Sequence, residues 1–235
     1  MKLFTSTFLL VILAGCSPED TISDASGNDE NAYKKKMALS AGNPSNNYDY
    51  TGVLYLELLE SHYKSTQPAL TLQQLIGHGE ALASVNPGFL ALDDFMAYQP
   101  ISVADVMPYL TADGQDIENF LTDSFGPVAV TFIEEITTQL SLLKAADASY
   151  AQVHASMIEI EASITARQGL PDDERAALLI TTSILRYALY HDGKRKRRDR
   201  DWEWMTGHIA ATANAALDSK PQAILMSFSI DVYQD

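Results

Sequence analysis

The chain of 235 residues has one cysteine, two tryptophans and only 16 basic residues against 31 acidic ones. A single thiol, Cys16, excludes a disulfide within the chain. The shortage of cations is sharper than the totals suggest. Six of the 16 lie between 194 and 200, where Asp199 is the one acid, leaving ten cations against thirty acids elsewhere. Such a surface repels nucleic acid and anionic membrane, so no nucleic-acid partner is expected. Apolar runs are short as well. The run from Leu3 to Leu13, softened by Thr5, Ser6 and Thr7, is too short to span a bilayer. Local signatures of catalysis are missing. There is no Gly-x-Ser-x-Gly elbow, no phosphate loop and no His-Glu-x-x-His. None of the five histidines, His62, His78, His154, His191 and His208, has Glu three residues before it, which removes the Glu-x-x-His signature of di-iron bundles. No metal and no cofactor is expected.

What is present begins at the N-terminus. Lys2 supplies a positive start, Leu3 to Leu13 an apolar stretch, and Leu13-Ala14-Gly15-Cys16 a lipobox. The order is that of a cleaved export signal, residues 1–15, not of a membrane helix. Cys16 then accepts diacylglycerol, and with a further N-acyl chain (palmitate or similar) the anchor to the membrane is firm. Ser17, Glu19 and Asp20 follow. This short acidic stretch resembles the surface-export signal of Bacteroidetes lipoproteins. The implied location is the outer membrane, lipid-anchored, on its periplasmic or cell-surface face.

Residues 16–47 carry Ser, Asp, Glu, Asn and Gly and almost no large apolar side chain. They read as a disordered tether, which leaves 48–235 as the folded domain. In that domain the apolar spacing is helical. Val53, Leu56, Leu59 and Tyr63 form one stripe, and Thr71-Leu72-Gln73-Gln74 makes a capping box for a second helix. Residues 88–125 are less regular, with short helices interrupted near Pro108. Longer helices follow, one with Pro127 in its first turn and the next capped by Asp147 or Ser149. The segment 171–191 is apolar nearly all round, Arg186 being its only charge between Ala176 and Tyr190, and such a helix is buried on all sides. Asp192-Gly193 reads as a turn. The tail alternates Ile224, Met226, Phe228, Ile230 and Val232, a strand pattern. Ser219 ahead of Lys220-Pro221 favours a capped helix instead. The fold expected is all-α, an irregular multi-helix bundle with a buried central helix near 171–191.

Three groups compete as sites. His78, between Gly77 and Gly79, is read as a helix residue in a flexible turn. His154 and Glu161, seven apart, share one helical face and are read as a surface pair. The third group is the basic run Lys194, Arg195, Lys196, Arg197, Arg198 and Arg200, followed at once by Trp202 and Trp204. Its plain reading is a solvated loop pairing with the acidic body. Its functional reading is a contact patch for an envelope protein or an anionic head group, since Arg beside an exposed Trp suits a partner contact.

Two stretches resemble a group of uncharacterised Bacteroidetes lipoproteins. One is Asn43-Pro44 with Tyr48-Asp49-Tyr50-Thr51-Gly52, the segment that leads out of the tether, here with Ser45-Asn46-Asn47 inserted. The other is Leu-Leu-Ile-Thr-Thr-Ser-Ile-Leu-Arg-Tyr (178–187), then Arg197-Arg198-Asp199-Arg200-Asp201-Trp202, then an Ala-rich helix. The likeness implies an envelope lipoprotein with a mostly helical body and carries no catalytic residues. The function expected is a non-catalytic binding or interaction module. The alternative is an enzyme or small-ligand carrier with a pocket between core helices, near His78 or His154.

Overall fold

A computed structural model describes residues 41–65, 70–195 and 202–234. It is all-α, with ten helices and no strand among the described residues. They are α1 (Asp49–Lys64), α2 (Leu72–Ser84), α3 (Pro87–Leu90), α4 (Val103–Thr111), α5 (Gly114–Ser124), α6 (Pro127–Ala145), α7 (Tyr150–Ala166), α8 (Asp172–Arg195), α9 (Trp202–Asp218) and α10 (Lys220–Tyr233). None is long and apolar enough to cross a membrane.

Side chains at the helix starts explain most boundaries. Thr71 and Gln74 form the expected capping box of α2, and Ser149 with Gln152 forms another at α7. Each satisfies backbone donors that the first turn leaves open. At α10 the Ser219 hydroxyl accepts from the Gln222 backbone N–H at 3.2 Å, with Pro221 in the first turn. The tail is therefore a helix. Its alternating apolar residues are explained by burial all round: Ala223 to Asp231 are buried without a break.

The central position falls to α8, which packs on α1, α6, α7, α9 and α10. Its residues Ala177 to Ala188 are all buried. No polar stripe is needed where five neighbours cover the cylinder. The closest approach is to α1, where a Cβ on Gly52 would lie 2.3 Å from Tyr187 and 2.7 Å from the Ser183 carbonyl. Glycine there lets the two backbones meet. Gly207 does the same for α9, since a Cβ would meet the Tyr109 carbonyl at 2.5 Å; Ala211 and Ala215 extend that small-residue stripe and are buried.

Four expectations change. The tether does not run to 47, because Ala41, Asn43 and Asn46 are buried in the body. Their amides and carbonyls are held by side chains of α1, α7 and α8, a gain that composition does not register. Asp192-Gly193 does not turn the chain, since α8 runs through both to Arg195. Pro108 lies inside α4 without ending it. His78 is a helix residue as expected, but it sits in the middle of α2 and not in a flexible turn, and a Cβ on the adjacent Gly79 would lie 2.8 Å from the Phe228 ring.

Candidate functional site

The residues singled out by sequence lie mainly outside the described set. Cys16 and the run Lys196, Arg197, Arg198 and Arg200 fall outside it. Lys194 and Arg195 are the last two residues of α8, and Trp202 and Trp204 open α9; the side chains of all four are likewise outside. Two polar arrangements within the body stand at opposite ends of α1.

The first is built around Arg186, fully buried on α8. Its Nε donates to Glu161 Oε1 at 3.0 Å, while its two terminal nitrogens donate to Asp49 Oδ1 and to the Ala41 carbonyl. Glu161, 1 % exposed on α7, also accepts from Asn43 Nδ2 at 2.5 Å and from Asn46 Nδ2 at 2.9 Å. Asn46 gives a second hydrogen bond to the Leu179 carbonyl at 2.9 Å. Asp49 accepts from the Asn43 backbone N–H at 3.0 Å and from the Tyr187 hydroxyl at 3.3 Å. The lead-in segment is thus a clasp. Asn43 and Asn46 turn the backbone by accepting from Ser45 N–H and Tyr48 N–H, as Asn side chains do in Asx-turns, and their amide groups face the carboxylate below.

Burial works against the charge on Arg186, but Glu161 and Asp49 outweigh it and raise its pKa further above the ordinary arginine value. The guanidinium stays protonated with its donors engaged. A buried charge of this kind contributes little net stability over an apolar replacement of the whole group, yet removing one partner costs about 3–5 kcal/mol. Glu161 and His154 are therefore not a surface pair. His154 Nε2 lies 3.2 Å from the Gly42 carbonyl, on the outer edge of the same clasp.

The second arrangement is aromatic and imidazole-rich. At the end of α1 the His62 ring meets His78 edge-on, centroids 5.2 Å apart, and Phe228 at 5.7 Å. Tyr63 stacks on His191 of α8 at 5.4 Å with 19° between the planes. One residue before Phe228, Ser227 hydrogen-bonds His208 of α9, both residues being fully buried. Two turns back along α1 from His62, Tyr55 donates to Asp231 Oδ2 at 2.7 Å. The topology thus gathers His62, His78 and His191 from three helices that sequence reasoning treated separately. Among the described residues, no three His, Cys, Asp or Glu side chains are arranged to hold a metal ion.

Three surface hollows lie elsewhere. One of about 500 Å³ is lined by Pro127, Phe132, Glu135 and Arg167, one of about 200 Å³ by Ile117, Leu121, Ile133 and Thr206, and one of about 370 Å³ by Asp105, Tyr109, Asn214 and Asp218. No histidine lines any of these three, so the pocket expected near His78 or His154 is not among them.

No protein-family model, no curated protein and no solved structure matches this chain.

Proposed function

We propose that the chain is a lipid-anchored outer-membrane protein, akin to the uncharacterised Bacteroidetes lipoproteins it resembles, whose helical body is a binding module without catalysis. Lipid on Cys16 joins it to the membrane. The stretch from Lys194 to Trp204 is its contact surface, taking an envelope protein or an anionic head group. One observation carries this reading: α8 continues unbroken past Gly193 to Arg195. The basic run therefore begins on a helix that five others brace, its first two residues, Lys194 and Arg195, being the last of α8, and contact residues on a rigid element are held more closely than on a loop. Its first cation, Lys194, comes three residues after His191 of the imidazole-rich wall.

The test is the triple replacement Arg195→Ser, Arg197→Ser and Arg198→Ser in the full chain, followed by cross-linking on intact cells. Loss of the cross-linked partner with an unchanged melting temperature is expected. Unaltered cross-linking removes the run as the contact surface.

The gathered rings of His62, His78, His191 and Tyr63 favour one second reading, a small-ligand carrier. Native mass spectrometry of the mature chain, compared with its denatured mass, separates the two. Extra mass lost on denaturation favours the carrier, and a bare protein mass favours the interaction module.

A further inference from the structure

Between α2 and α4 the chain carries apolar side chains that point away from the core. Phe89 is fully buried and meets Phe95 edge-on at 5.9 Å, which closes the loop on itself. The residue after each of these rings is turned outward: Leu90 is 46 % and Met96 92 % exposed. Val85, at the start of the same loop, is 75 % exposed. A leucine, a methionine and a valine stand in water within twelve residues, and their burial is favourable wherever an apolar partner exists.

Tyr50 joins them from α1 and is 41 % exposed. It lies within electrostatic reach of Asp93, Asp94 and Lys220. Lys220 Nζ ties the loop to α10 through Asp93 at 2.8 Å and Asp94 at 3.0 Å. Asn86 ties it to α1 by donating to Glu57 at 2.8 Å. The loop is thus fixed along the first half of α1.

That position determines what can reach it. The clasp around Arg186 holds Ala41, Asn43 and Asp49, so Ala41, where the described chain begins, sits at the same end of α1 that carries Tyr50. Only the 24 residues 17–40 separate the lipidation site from the clasp, a span of at most about 85 Å even when fully extended. A membrane held that close raises the effective concentration of lipid at the loop, so a few apolar side chains suffice for contact.

We propose that Val85, Leu90, Met96 and Tyr50 form a membrane-resting face that enters the interface of the bilayer carrying the chain's own lipid. This rests on the reading of Cys16 as the lipid anchor. The lipid chosen is zwitterionic. Asp93 and Asp94 lie between Leu90 and Met96 and the chain carries a net charge of −15, so anionic head groups are disfavoured at this face, in contrast to the basic run.

The test uses the full chain with its own lipid, reconstituted into phosphatidylethanolamine–phosphatidylcholine vesicles. An environment-sensitive fluorophore is placed at Met96→Cys; acylation leaves Cys16 without a competing thiol. The reference label is Leu142→Cys, on α6, which packs on α5, α7, α8 and α9 and is 60 % exposed. Emission at 96 is expected to rise severalfold and to be quenched by nitroxide lipids, with 142 unaffected. Replacing part of the zwitterionic lipid with phosphatidylglycerol should weaken the quenching. Intact mass is read first. A chain without lipid on Cys16 overturns the anchor reading and the proposal with it. A lipidated chain whose label at 96 stays as water-like as the label at 142 overturns the membrane-resting face alone. Emission that follows protein density, and not lipid quencher, assigns the face to a second copy of the chain and overturns the proposal as well.

Discussion

At the start of α1, Asp49 meets Arg186, and Glu161 closes the arrangement from α7. At the other end of α1, His62 and Tyr63 meet His78, His191 and Phe228 through ring faces and edges. Both ends rest on α8, but they respond differently to change. Charges taken out of water must each be matched, so the clasp tolerates no missing partner. Ring contacts are worth about 0.5–1.5 kcal/mol beyond area burial and accept isosteric neighbours. The clasp therefore serves to hold the lead-in segment on the body. The ring wall has room to vary, and the basic run departs beside it.

The largest predicted effect is at the clasp. Arg186→Met keeps the stem and strands Glu161 and Asp49; a loss of about 3–5 kcal/mol is expected in urea unfolding. An unchanged midpoint would mean that water already reaches the carboxylates. Next comes Gly52→Ala, whose methyl would push α1 off Tyr187 and the Ser183 backbone. Overpacking of this kind costs about 1–3 kcal/mol, and the melting temperature should fall accordingly. At the ring wall Phe228→Leu exchanges one fully buried apolar side chain for another of similar volume. A change within about 1 kcal/mol is expected by the same unfolding assay; a loss as large as at Arg186 would erase the contrast between the ends.

Alkali offers a weaker, global handle. Burial raises the hydroxyl pKa of Tyr98, Tyr150 and Tyr187 above the ordinary value of 10. Burial acts to lower Lys220, but Asp93 and Asp94 overcome it and raise that group too. All four hold their protons longer folded than unfolded. Their contribution is fully present below about pH 10 and is lost as pH rises through the folded values. Stability measured by denaturant should be level near neutrality and decline above pH 10, in step with phenolate absorbance.

Much of the architecture could be read from side-chain spacing and capping. The helix over 171–191 has no polar face, and the structure makes it the centre of the bundle. Thr71, Ser149 and Ser219 mark helix starts because their hydroxyls have backbone donors to satisfy. The clasp was legible in part. Glu161 falls between Met157, Ile160 and Ile164 on one helical face, all four buried, and a buried Arg186 requires an acid. Pairing Glu161 with His154 by spacing alone concealed this. The sequence places the end of the tether too late, because Asn43 and Asn46 look like linker residues until the Glu161 carboxylate they bind is in view. The ring wall was not legible: His62, His78 and His191 come from separate helices, and no periodicity links them.

The most direct test of the account is cross-linking on intact cells with the Arg195→Ser, Arg197→Ser and Arg198→Ser chain beside the unaltered one, melting temperature recorded for both. The account predicts a partner lost and a melting temperature kept. A partner retained at full yield would contradict it and move the contact surface away from the end of α8.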